Sequence, residues 1–117
     1  MLTQEAIRAF NAKLPKYLDI QALEVSWPED GGTLGLALTL RPRDPGLRHT
    51  RIVLRAKGVQ ALRLFPEPIG LPQVGLLEMR DITDRGWEQL SYEVTDTEHY
   101  QALSFYCADL EAELLMF

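Results

Sequence analysis

The chain has 117 residues, 46% apolar and 25% charged, which fits one globular domain around one core and excludes disorder as the default state. Its apolar runs fall far short of the roughly 20 residues of a membrane-crossing helix, its opening residues show no basic region followed by an apolar stretch and so predict no signal peptide, and its single cysteine excludes an intramolecular disulfide. A net charge of −5 argues against a general nucleic-acid binder, so the expectation is a cytoplasmic protein without a membrane partner.

Residues 3–14 predict a helix. Thr3 suits the N-cap, because its hydroxyl can accept a free N–H of the first turn. Leu2 and Ile7 then stand at the spacing of a hydrophobic staple. Ile7, Phe10 and Leu14 share one stripe, which reads as a core-facing helix rather than a membrane-surface one. Pro15 ends it, since its ring disfavours helical geometry at Leu14. Residues 20–27 follow as a strand with Leu23, Val25 and Trp27 on one face. The segment 28–32, with Gly31 and Gly32, predicts a hairpin turn; no nucleotide-loop pattern surrounds the two glycines. Leu34, Leu36, Leu38 and Leu40 alternate with Gly35, Ala37, Thr39 and Arg41 in a half-buried strand.

After a Pro/Gly loop at 41–46, Ile52, Leu54 and Ala56 point inward while Arg51, Val53, Arg55 and Lys57 point outward. Gly58 marks a bend or bulge, and Leu62 and Leu64 begin another face. Either a hairpin or one bent strand that changes partners satisfies this pattern. Residues 65–74, from Phe65 to Val74, hold three prolines and predict an apolar loop that covers a sheet edge or forms a binding lip. A strand at 75–82, a turn at 83–86 and three further strands within 87–116, separated by acidic turns, complete the chain. Their inward sets are Leu90, Tyr92 and Val94; Leu103, Phe105 and Cys107; and Leu110, Ala112, Leu114 and Met116. The fold class is therefore α+β: predominantly antiparallel β, about seven strands in a sandwich or barrel-like arrangement, with one N-terminal helix and a single domain over 1–117.

Charge is polarised along the chain. Residues 41–63 carry seven cations against Asp44 alone, and residues 78–113 carry ten acids against Arg80 and Arg85. A bipolar surface for a charged partner would give this pattern; cross-strand pairing within one sheet gives it more simply.

Chemistry-bearing constellations are sparse. Cys107 with His99 or His49 could pair a thiol with a base, but Cys107 falls on an inward face, where cysteine acts as a small hydrophobe. Asp81, Asp84, Asp96 and Glu98 could offer oxygen ligands to a hard cation, yet acids at strand ends ordinarily cap turns. Glu111 and Glu113 lie about 7 Å apart by strand geometry, within reach of a glycosidase pair, although any solvated strand face with two glutamates shows this. The basic stretch 41–63 lacks the aromatic interleaving of single-strand binders. Trp27, Trp87, Tyr92, Tyr100 and Tyr106 could contribute to a binding face. No catalytic, cofactor or metal residue is assigned.

The segments Gly75-Leu76-Leu77-Glu78-Met79-Arg80-Asp81-Ile82, then Trp87 with Tyr92-Glu93-Val94-Thr95-Asp96, then Leu103-Ser104-Phe105-Tyr106-Cys107-Ala108-Asp109-Leu110-Glu111, resemble small bacterial proteins akin to the immunity protein 50-like group of polymorphic toxin systems. The likeness spans roughly residues 50–113. It implies a non-enzymatic domain that binds and neutralises a protein partner, and it carries over no catalytic residue. The function expected is thus a protein-binding module, immunity-like, with Arg51, Arg55, Lys57, Asp81, Asp84, Asp96 and Glu98 as its interaction surface. The partner would be a toxin-like or other protein, and a homodimer through a sheet edge is compatible. The alternative is a small-ligand-binding β domain with a pocket under the 65–74 loop.

Overall fold

The computed structural model describes residues 2–28, 32–64, 76–98 and 103–117. Helix α1 (Gln4–Lys13) starts as its sequence dictates: Thr3 Oγ1 accepts the Ala6 N–H at 3.1 Å. Ile7 is buried and Leu2 packs against the same core. A 3-10 turn with Pro15 at its start then closes the helix and buries Leu14 and Tyr17.

Among the described residues seven strands follow: β1 (Asp19–Ser26), β2 (Leu34–Arg41), β3 (Thr50–Leu64), β4 (Leu77–Asp81), β5 (Tyr92–Asp96), β6 (Leu103–Cys107) and β7 (Asp109–Met116). All pairings are antiparallel, in the order β1-β2-β3-β6-β5-β4 with β7 also on β3. The sheet has two leaves that share β3. Its first half lies between β2 and β7, and its second half pairs with β6.

The shared strand resolves the ambiguity at Gly58: residues 50–64 are one bent strand. Gly35 faces Lys57 while Leu34 faces Val59, so Gly58 is an extra residue against β2. On the other side, Ala108 separates β6 from β7, and its N–H donates to the Lys57 carbonyl at 3.0 Å. The two kinks match, because the β3 register is the same before them (Lys57 with Asp109) and after them (Gln60 with Tyr106). Inward parity therefore changes together, from Ala56 to Val59 in one strand and from Cys107 to Leu110 in the other. The acidic turn expected between Cys107 and Leu110 is this kink. A single intervening residue cannot reverse a chain, and both strands go on pairing with β3.

Other boundaries differ in detail. The strand expected to follow Trp87 begins only at Tyr92, because Gly86 and Gln89 both take positive φ and hold 86–91 irregular. Trp27 and Met116, expected on inward faces, stand out in solvent beyond the rows that pack.

Inside, Leu38, Leu40, Ile52, Leu54 and Leu110 of the first leaf meet Leu77, Met79, Val94, Leu103 and Phe105 of the second in one cluster. Edge strand β4 is closed by the helix. Asn11 donates through Nδ2 to the Met79 carbonyl and accepts the Met79 N–H through Oδ1, both at 2.9 Å. An amide side chain here replaces a neighbouring strand, satisfying groups that an edge otherwise leaves open.

Gly58 has φ +66°, and a Cβ there would sit 2.8 Å from the Ala108 Cβ. Gly58→Ala combines left-handed strain of about 1–2 kcal/mol with a clash and is expected to destabilise by about 2–4 kcal/mol. Ala61 lies where the β3–β6 register slips by one residue, and it already has φ +54°. Ala61→Gly is expected to stabilise by up to about 1 kcal/mol, relief of that strain exceeding the added chain entropy. Urea unfolding of the two variants checks the opposite signs.

Candidate protein-interaction surface

The outer face of the second leaf gathers a group of large polar and aromatic side chains. Register places Arg80 opposite Glu93 and Glu93 opposite Tyr106 across β4, β5 and β6. The connection between β4 and β5 is pinched by the Ile82 N–H on the Ser91 carbonyl at 2.8 Å, and it folds back so that Trp87 meets Tyr106 edge-to-face at 5.3 Å. The Arg85 guanidinium lies 5.2 Å from the Trp87 ring centroid.

Glu93 sits beneath this group. Its Oε1 is buried without a hydrogen bond among the described residues, and Arg80 and Arg85 approach it at 3.7 and 3.9 Å. These are ion-pair distances, too long for hydrogen bonds. Arg80 is held by Glu78 at 3.2 Å, and its pKa is raised by that hydrogen bond and charge. Trp87 remains 46% exposed, so the aromatic pair is open to solvent.

The residues expected to form an interaction surface divide among three places. Arg51, Arg55 and Lys57 lie on the outer face of the first leaf, beside the outward row of β7. There Arg55 faces Glu111 and ion-pairs with Glu113 at 3.1 Å, and Lys57 faces Asp109. The two charge runs of the sequence thus meet on adjacent strands, as cross-strand pairing requires. Asp81 and Asp84 belong to the other leaf, at the end of β4. Asp81 is held below the usual carboxylate range by the Thr83 hydroxyl and N–H. Asp96 and Glu98 lie at the opposite end of the β4–β5 ladder, four residues or about 13 Å away. Asp96 is buried and accepts the N–H groups of Leu76 (2.9 Å) and Glu98 (3.0 Å). It fixes the chain rather than presenting a charge.

The aromatics divide similarly. Trp87 and Tyr106 converge, whereas Tyr92 is buried with its hydroxyl donating to the Leu2 carbonyl at 3.1 Å, and Trp27 stands apart at the end of β1. Arg80, Arg85 and Glu93 were not singled out from sequence. Their signal is the pairing of Arg80 with Glu93, which becomes visible once the β4–β5 register is known. Glu111 and Glu113 are both exposed, on a solvated face. His49 is exposed too, accepting a hydrogen bond from Arg48 at 3.1 Å. The 65–74 loop, with any pocket under it, the turn at 29–31, and His99 and Tyr100 lie outside the described residues. Among the described residues no group of three or more His, Cys, Asp or Glu could hold a metal ion, and no helix is long and apolar enough to cross a membrane.

Comparison of the chain with known protein families, curated proteins and solved structures gave no match.

Cys107 is fully buried on the inner face, and burial pushes its thiol up to about 12. The thiolate, which is the nucleophile, is therefore absent near neutral pH. Iodoacetamide is expected to label Cys107 only as fast as the protein unfolds. A folded pKa above the unfolded value means that this group's contribution is intact below about pH 8.5. The contribution is lost as pH rises towards 12, at roughly 1.4 kcal/mol per pH unit. Urea titrations at pH 7, 9 and 10.5 should show wild type losing its margin over Cys107→Ala as pH increases.

Proposed function

We propose that the protein is a non-enzymatic protein-binding module, immunity-like in the sense the sequence resemblance implies, and that it engages its partner through the Trp87–Tyr106–Arg85 surface. The observation that carries this reading is an aromatic pair open to solvent, Trp87 exposed and Tyr106 half-buried, with the Arg85 guanidinium beside the Trp87 ring and Arg80 and Arg85 both within ion-pair distance of Glu93. Trp, Tyr and Arg are the residues in which binding energy concentrates at protein interfaces. Tyr106, Glu93 and Arg80 stand on strands, and Trp87 is held against Tyr106, which limits the ordering cost of association.

In this reading the partner is a toxin-like protein domain, and the module acts by occupying a surface of that domain. Affinity capture from native-host lysate with wild type and Trp87→Ala baits is the test. Wild type is expected to retain one protein at near-stoichiometric amounts. Trp87→Ala, with an unchanged melting temperature, should bind it at least 30-fold more weakly, the effect of losing about 2 kcal/mol at a central aromatic. Equal retention by the two baits, or no retained protein, overturns the proposal.

A further inference from the structure

The edges of the sheet are not equivalent. The edge at β4 is occupied by Asn11. The register of β1 slips between Ile20 and Ala22, and that of the second half of β3 between Gln60 and Arg63; such irregularities spoil a template for another strand. β7 differs from all of these. Its pairing with β3 runs unbroken over eight residues, from Thr50 with Met116 to Lys57 with Asp109.

The Phe117 N–H donates to the His49 carbonyl at 2.8 Å, which puts the odd-numbered residues of β7 in hydrogen-bonded register with β3. In an antiparallel ladder the intervening residues then turn their N–H and C=O groups away from the partner strand. Leu110, Ala112, Leu114 and Met116 thus face the outer edge. The Leu110 N–H is taken by Asp109 Oδ1 at 3.0 Å. No such side chain meets Ala112, Leu114 or Met116 among the described residues.

Along this edge lies a depression of about 300 Å3 lined by Leu2, Arg55, Leu110, Glu111, Ala112 and Glu113. Its two sides differ in chemistry. Glu111 and Glu113 belong to the outward row, while Leu110 and Ala112, with Leu2 beside them, belong to the inward one. Arg55 is engaged by Glu113, so Glu111 keeps its charge unpaired among the described residues.

We propose that the edge of β7, open among the described residues, receives an extended segment of a partner protein as an added strand, and that the segment alternates Lys or Arg with aliphatic residues. Strand addition supplies main-chain hydrogen bonds at Ala112, Leu114 and Met116, and the alternation supplies specificity. A cation on one face of the segment meets Glu111, beside the Arg55–Glu113 pair; aliphatic side chains on the other meet Ala112, Leu114 and Leu2. The same glutamates disfavour a second copy of this chain, because two β7 edges would bring acids against acids. The β1 edge of a second copy does not fit either: its outward row is Ala22, Glu24 and Ser26, without a cation. The inference deepens the protein-binding reading with a second contact, and it shares no residue with the Trp87 surface.

The test uses the full chain and two fluorescein-labelled peptides of equal composition, one alternating Lys and Val over seven residues and one with the same residues in blocks, titrated by anisotropy at 50 and 200 mM salt. Wild type is expected to bind the alternating peptide at least ten-fold more tightly than the blocked one. Glu111→Lys should abolish that preference. Ala112→Pro should abolish it too: it removes an N–H that faces the edge and spares the ladder to β3. Trp87→Ala should leave the preference intact, so equal lysate capture by the wild-type and Trp87→Ala baits with retained peptide binding would fault the Trp87 reading alone. Equal affinity for the two peptides, no binding of either, or a preference that survives Glu111→Lys overturns the proposal. So does a wild-type dimer in sedimentation velocity that Ala112→Pro dissociates, since the occupant would then be a second copy.

Discussion

The structure depends on one close approach, that of Gly58 to Ala108. Two strands of the same ladder change direction at the same step, and they can do so only because one of the two residues has no side chain. Before that step β3 completes one leaf; beyond it β3 completes the other. If the kinks were out of phase, one strand would carry its apolar residues to the outer face of the second leaf, since a one-residue slip inverts every side chain. Matched kinks keep Val59 and Cys107 inside with Ala56 and Leu110. The core is continuous because the break in pattern is shared.

That is also why part of the fold could be read from the sequence and part could not. Regular alternation in residues 34–40, 50–57 and 103–116 states which side chains face inward, and it does so correctly for nearly every residue of β2, β6 and β7. The switch in parity after Cys107 is equally visible. What it means is not, because a tight turn and a kink within one strand leave the same trace in a single segment. Only the partner strand distinguishes them, and β3 lies some 50 residues earlier. The helix start was legible because its cap is local, Thr3 to Ala6. The role of Asn11 was hidden because its partner is Met79, 68 residues away.

The same division holds for the candidate surfaces. Opposite charges on neighbouring strands were legible as a pattern, and Arg55 of β3 meets Glu113 of β7 as that pattern expects. Asp81 and Asp96 look alike in sequence, yet one tightens an exposed turn while the other is buried under two backbone N–H groups. Residue type alone cannot separate those roles, because both satisfy the chain's own donors. The Trp87 cluster needs three pieces brought together by tertiary structure: a loop held irregular by positive φ, the β4–β5 register, and Tyr106 on the next strand.

The kink at Ala108 has a further consequence for recognition. Tyr106 and Glu111 stand on one continuous backbone, on either side of that residue, so the aromatic surface and the β7 edge are inclined to one another at an angle set by a packed kink instead of a flexible joint. A partner that touches both must present its own two surfaces at the matching angle. On the proposed reading, shape would then discriminate between molecules that carry the right chemistry in the wrong arrangement.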